Sequence, residues 1–381
     1  MSEEYERACM YRLFCAPGAG QRTCEQILYA AGSAETACRE YERMSAFVNT
    51  RFRESFLKHF RDPATAASYD KIMSKGIHFT ALPLSDYPEK LKAIHDPPFG
   101  ITWIGELPDS TKPAVSVIGA RQCSAYGRFM AGRFGSDLAA AGIQVISGMA
   151  VGIDGLAQRA CVNAGGRSFA VLGSGVDVCY PGENSDLYEK LKTCGGIISE
   201  NPPGTAPRKQ LFPMRNRLIS AFCDALLVIE ARKRSGTLIT VDMALEQGKD
   251  IFALPGRVTD ALSDGCNQLI RQGAGIATCV SDITDALFYI NTENTDDYVL
   301  FDRNEGLSSD ERLILGVLDA SPRSVTDISS ELEALDQSRS TGTLMELLME
   351  LCAKGAVIHE GGYFSLRLCE RPGSRQEEPS Q

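Results

Sequence analysis

Gly119-Ala120-Arg121, Ser147-Gly148-Met149-Ala150-Val151-Gly152-Ile153-Asp154 and Phe212-Pro213-Met214-Arg215-Asn216-Arg217 punctuate the stretch from Val115 to Val280, and the reading of that stretch decides the fold. Apolar runs of strand length recur through it at Ala114–Ile118, Gln144–Ile146, Phe169–Leu172, Gly196–Ile198, Ala225–Ile229, Ile251–Leu254 and Ile276–Val280. Each ends in small residues and leads into a helix-like segment. Continuous Val/Ile/Leu runs alternating with helices are what strands buried on both faces require, so the fold class is α/β, a Rossmann-like, doubly wound parallel sheet.

In such a sheet a ligand sits beyond the carboxyl ends of the strands. The unusual residues fall there: Gly119 and Arg121 after the first run, Ser147 and Gly148 after the second, Gly173 and Gly175 after the third, Glu230 to Gly236 and Pro255-Gly256 after later ones. Glycine at one strand end is ordinary turn chemistry. Its recurrence at successive ends points to a backbone that a ligand approaches closely. The dinucleotide pattern Gly-x-Gly-x-x-Gly is not matched by Gly119-Ala120-Arg121-Gln122-Cys123-Ser124, and there is no Gly-x-x-x-x-Gly-Lys-Ser/Thr loop. An arginine in place of the second glycine suggests a side chain gripping phosphate with a planar fork of donors.

The net charge of −10 over 381 residues argues at first against nucleic acid, but binding depends on where cations cluster. Between Pro207 and Arg234 stand Arg208, Lys209, Arg215, Arg217, Arg232, Lys233 and Arg234 against only Asp224 and Glu230. The four histidines, His59, His78, His95 and His359, lie outside the strand-end loops, which removes the commonest general base. No Gly-x-Ser-x-Gly elbow is present, and Asp154 at a helix start reads as a cap. Thirteen cysteines without a Cys-x-x-Cys pair indicate neither a disulfide framework nor a zinc site, and no cofactor or metal is expected. No run is long enough to span a bilayer and Met1-Ser2-Glu3-Glu4 is no signal region, so a cytoplasmic location is expected.

Residues 1–76 read as a separate helical domain. Tyr5–Phe14, Pro17-Gly18-Ala19-Gly20 and Thr23–Ala30 form a helix-hairpin-helix-like (SAM-like) pattern, whose hairpin either holds a DNA phosphate or simply joins two helices. More helix is expected through Glu35–Lys75. A proline-rich connector over 77–113 delivers the strand Ile101–Ile104 to a domain ending at 290. Residues 291–306 read as a polar linker, and 307–367 as a winged-helix-like domain: helices Asp310–Leu318, Val325–Leu332 and Thr341–Cys352, then two strands about Gly361-Gly362. Glu346 and Glu350 make that module a poor duplex reader, and 368–381 read as a disordered tail.

With these pieces assembled the sequence resembles the DNA-processing protein A family, also called DprA or Smf. The specific part is Val117–Arg121, Ser147–Asp154, Phe212–Ser220, Glu230-Ala231, Ser235-Gly236-Thr237-Leu238 and Ala253-Leu254-Pro255-Gly256. The resemblance implies a protein without known catalysis that binds single-stranded DNA, forms a homodimer through its Rossmann-like domain, and promotes RecA loading on incoming DNA during natural transformation, with single-strand-binding protein as a further partner. Carried over by position, it implies a DNA-binding set of Gly119, Arg121, Ser147, Gly148, Lys209, Phe212, Arg215, Asn216 and Arg217. The chain departs from the family pattern at Gln210-Leu211, where a larger, often aromatic, residue is expected before Phe212-Pro213. The alternative is a nucleoside-monophosphate-processing enzyme on a related fold, for which Glu230 and Arg234-Ser235-Gly236-Thr237 supply only a fragment of the needed loop.

Overall fold

A computed structural model describes residues 3–291, 298–300, 308–318, 323–334, 337, 339–354, 356–360, 362–366 and 368–370. Two units are distinct, Met1–Phe288 and Tyr289–Gln381.

The first unit is built on nine strands: β1 His78–Ala81, β2 Gly100–Gly105, β3 Ala114–Ile118, β4 Gln144–Ser147, β5 Ser168–Val171, β6 Gly195–Ser199, β7 Ala225–Val228, β8 Asp250–Ala253 and β9 Gly275–Ile276. They lie in the order β1-β2-β6-β5-β4-β3-β7-β8-β9. From β6 to β9 every pairing is parallel, with helices between consecutive strands. β2 joins β6, and β1 joins β2, antiparallel. The sheet is mostly parallel, as expected, with β2 and β1 added antiparallel at one edge, and β1 was not foreseen. The strand expected over Ile276–Val280 is confined to Gly275–Ile276.

Side-chain alternation explains why the middle strands read as unbroken apolar runs. Val115 and Val117 of β3 join a core with Phe134, Leu138 and Ile153 on one face. Ala114 and Ile118 join Leu218, Ile219 and Phe222 on the other. Both faces are covered, so these positions are apolar apart from Ser116, whose buried hydroxyl is satisfied by donating to Ile219 O at 2.8 Å.

The helices Glu3–Phe14, Gln21–Ala31 and Thr50–Arg61 share one continuous core with Phe79, Leu172 and Ile197. A boundary at 76/77 was the expectation; in the structure the packing runs across it. Arg7 donates to Phe79 O at 3.2 Å and to Asp86 Oδ2 at 2.7 Å, fixing the first helix to β1 and the turn after it. Gly18 of the Pro17–Gly20 hairpin has φ +78°, and a Cβ there would stand 2.5 Å from Phe52 Cβ. The hairpin is thus held against the Thr50–Arg61 helix.

In the second unit the helices Ser309–Val317, Val325–Ala334 and Thr341–Ala353 enclose Ile314, Ile328, Leu332, Leu344, Leu348, Leu351 and Phe364. Ser308 and Glu311 close a reciprocal cap at the first helix start. Arg323–Ser324, Tyr363–Leu366 and Val357–Glu360 pair antiparallel in that order. Tyr298–Leu300 pairs with Leu368–Glu370, so strand residues stand within the stretches read as linker and tail. The rest of those stretches, 292–297, 301–306 and 371–381, together with residue 307 and Gly361 of the turn, lie outside the described residues. Among the described residues no helix is long and apolar enough to cross a membrane.

Candidate nucleic-acid interface

The chain runs outward from β3 through β4, β5 and β6 on one side, then returns to lay β7, β8 and β9 on the other. The loops after β3 and β7 consequently diverge, and a crevice opens between them at the carboxyl edge. A cavity of about 510 Å³ lies there, lined by the β3 loop, the start of the Leu211–Phe222 helix and the β7 loop. Its charged lining is Arg121, Arg215 and Arg232 against Asp154 alone.

Arg121 stands exposed on a backbone held from below. Gly152 has φ +89°, and a Cβ on it would stand 2.3 Å from Ala120 O. Only glycine tolerates both that conformation and that contact. Ile153 N then donates to Ala120 O at 3.2 Å. Gly119 is needed for a similar reason, because a Cβ would meet Ile153 Cγ1 at 2.7 Å. It makes room for the Ile153–Asn163 helix.

The Arg121 guanidinium lies 5.7 Å from the centroid of the Phe212 ring. On Phe212 stacks Tyr180, with centroids 5.5 Å apart and planes inclined by 29°. Gly173 lets Phe212 lie down, since a Cβ there would stand 2.9 Å from Phe212 Cδ1. Tyr180, 43% exposed, escaped the sequence reading. It sits in the loop after β5 and supplies the second ring that Gln210-Leu211 does not. An aromatic three residues beyond Asp177 in a strand-end loop was the available signal.

Lys209 is exposed in the turn before the Leu211–Phe222 helix, and Arg208, Arg232, Lys233 and Arg234 are exposed beside it in sequence or across the cleft's other loop. None of these five has a carboxylate partner among the described residues. Asn216 lines the cleft and accepts from Arg215 Nε at 3.3 Å.

The other expected contacts have structural work. Ser147 is fully buried and its Oγ donates to Val117 O at 2.6 Å, tying β4 to β3. Gly148 N donates to Asp154 Oδ2 at 3.2 Å and Gly148 O accepts from Arg215 Nη1 at 3.0 Å. Arg215, 4% exposed, also donates to Val171 O. Burial pushes its guanidinium down to about 10, with Asp154 opposing the shift. Burial likewise raises the Asp154 carboxyl, against the pull of Arg215. Asp154 was read as a helix cap; its carboxylate instead serves Gly148 and Arg215, and the helix start has no side-chain cap. Arg217 is absent from the cleft lining; it holds Glu200 through two bonds of 2.8 and 2.6 Å and donates to Asp96 O at 2.9 Å.

Glu230, the glutamate an enzyme would use, is 1% exposed and accepts from Ser124 N at 2.9 Å and from Ser124 Oγ. Gly127 is crowded against it, leaving no space for a substrate on that side. Among the described residues no group of three His, Cys, Asp or Glu side chains is placed to hold a metal ion.

Residues 78–288 match the family model described as DNA recombination-mediator protein A. The DNA processing protein DprA of Bacillus subtilis is 34% identical over 237 residues, 62% of this chain and 79% of that one. The X-ray structure of DNA processing protein A from Streptococcus pneumoniae superimposes with a TM-score of 0.57 at 34% identity, over 64% of this chain and 85% of that chain. That of Helicobacter pylori, described for its single-stranded DNA binding mode, gives 0.50 at 26% identity over 56% of this chain and 97% of its own. The match covers β1 to the end of the sheet domain, with the cleft and the whole Arg121–Phe212 constellation inside it. By that extent of agreement the chain belongs to the DNA recombination-mediator protein A family.

Proposed function

We propose that the Arg121–Phe212 cleft binds single-stranded DNA and that the protein, as a homodimer, delivers such DNA to RecA recombinase during natural transformation, without catalysing a reaction itself. The observation that carries the binding step is the stack of guanidinium, phenyl and phenol groups at Arg121, Phe212 and Tyr180, near exposed cations that have no carboxylate partner among the described residues. Single-strand binders need a cationic track for the backbone and aromatic faces for bases, with little sequence readout. Membership of the family and the single-strand binding of the Helicobacter pylori relative support the same reading. The engagement of Glu230 by Ser124 supports a binding role over nucleoside-monophosphate hydrolysis.

The test is fluorescence anisotropy with a labelled single-stranded oligonucleotide over a range of salt, with the matching duplex as competitor. Wild-type protein should prefer the single strand. Arg121→Ala and Lys209→Ala should each weaken binding for every sequence, and each should lower the slope of log K against log salt by about 0.7, the value for one single-strand phosphate contact. Unchanged affinity and slope in both variants would overturn the assignment of this cleft.

A further inference from the structure

Beyond the cleft, the exposed arginines do not stop at Arg121. A second depression, of about 300 Å³, shares Arg121 with the first and is walled by Arg128 and Arg159. A third, an open groove of about 650 Å³ between the Ala125–Ala140 and Ile153–Asn163 helices, shares Arg128 with the second. It is lined by Arg128, Phe129, Gly132, Arg133, Ala160 and Ala164. Phe129 is 66% exposed. Its neighbours are small, so the floor is shallow enough for a chain to lie beside the ring.

The charges along this path are Arg121, Arg128, Arg159 and Arg133. Arg159 is paired with Asp186, and Arg133 approaches Asp137 at 3.5 Å between half-exposed side chains. The Arg133–Asp137 pair, half exposed on both sides, contributes little, whereas Arg159 is partly buried and also donates to Asn184 Oδ1 at 3.4 Å. Arg128 donates to Cys123 O at 3.1 Å, and among the described residues it has no carboxylate partner. An exposed phenyl ring lining one groove with two arginines offers the same residue types as Phe212 with Arg121.

We infer that a single strand leaving the Arg121–Phe212 cleft continues past Arg128 into this groove, where Phe129 stacks a base and Arg128 and Arg133 hold the backbone. The inference rests on the single-strand reading of the cleft and extends it. From Ala125 to Ser136 the helix advances roughly 16 Å, room for a few more nucleotides.

Gly132 supplies a clean test. A Cβ there meets nothing within 4 Å, so Gly132→Glu places a carboxylate in the groove without disturbing the packing. Replacing a mid-helix glycine also raises helix propensity. Full-length wild type, Gly132→Glu and Phe129→Ala are titrated with oligothymidylates of roughly six and roughly twenty nucleotides, within and beyond the span of one small single-strand site. Both variants should bind the short oligonucleotide as wild type does and the long one on the order of tenfold more weakly. Long-oligonucleotide affinity equal to wild type in both variants would overturn the inference while leaving the cleft reading intact. A short oligonucleotide that does not bind, or binds regardless of Arg121→Ala, would remove the cleft reading and the inference with it. Light scattering supplies the remaining outcome: a changed oligomeric state in the variants, with oligonucleotide affinity per protomer unaltered, would give the groove to a protein contact and overturn the inference.

Discussion

Gly148→Ala separates scaffold from contact beneath the cleft, where Gly148 meets Arg215. A Cβ at Gly148 would stand 2.6 Å from Arg215 Nη2, 2.9 Å from Arg215 Cζ and 2.9 Å from Asp154 Oδ2. Carbon cannot be accommodated at those distances, so the guanidinium has to move. It has nowhere buried to go, because it is 4% exposed and bonded to Gly148 O and Val171 O. Each charge-assisted bond contributes about 1.5–3 kcal/mol, and partial recovery elsewhere leaves a net loss of roughly 2–4 kcal/mol. Unfolding entropy of about 2.1 cal/mol/K per residue, applied to the unit Met1–Phe288, turns that into a Tm fall of roughly 3–7 °C. Single-strand affinity should fall with it, because Arg215 anchors the helix that carries Phe212. Thermal unfolding and anisotropy on the same preparation decide the matter. If Gly148 instead lay directly against a phosphate and Arg215 were not displaced, the added Cβ would keep the ligand away and affinity would fall at an unchanged Tm. That result would refute the scaffold argument.

Arg217→Ala should behave in the opposite way to Arg121→Ala. The side chains of Arg217 and Glu200 are 12% and 13% exposed, so its removal strands a largely buried carboxylate at a cost of about 3 kcal/mol in chemical denaturation, with the salt slope of DNA binding unaltered. At the other end of the unit, burial alone would raise the Asp86 carboxyl, but hydrogen bonds from Arg7 and Thr80 outweigh it and hold the group below its ordinary 3.8. A folded value below the unfolded one means that the stabilisation is complete above 3.8 and lost as pH falls through the folded value. Tm measured from about pH 5 down to about pH 2 should therefore fall less steeply in Asp86→Asn than in wild type.

What could be read from sequence, and what could not, follows from whether the information is local. The parallel strands were legible because burial on both faces favours short, mostly apolar runs at β3, β7 and β8, broken in β3 only by Ser116, whose Oγ donates to Ile219 O. β1 was not, since His78-Phe79-Thr80-Ala81 is short and half polar, and only its pairing with Gly100–Trp103 makes it a strand. The arginines of the Phe212–Arg217 segment sit between these cases. On a helix Phe212, Arg215, Asn216 and Ile219 fall on one face, and all four line the cleft. Arg217 lies roughly 140° around from Phe212, so helical periodicity alone would have moved it out of the site.

Periodicity cannot separate Arg215 from Arg121, because both face the same cavity and both are cations. What separates them is distant in sequence: Gly148 O, Val171 O and Asp154 close around one guanidinium. The Gly152 turn supports the backbone of the other and leaves its side chain in solvent. A buried arginine bonded to two carbonyls would have to break those bonds to meet a phosphate. An exposed one lying over an aromatic ring gives up only weak hydration and a cation–π contact of about 0.5–1 kcal/mol. The difference in the cost of release, and not the difference in charge, is the ground on which the proposed function gives the ligand contact to Arg121 and leaves Arg215 as the support beneath it.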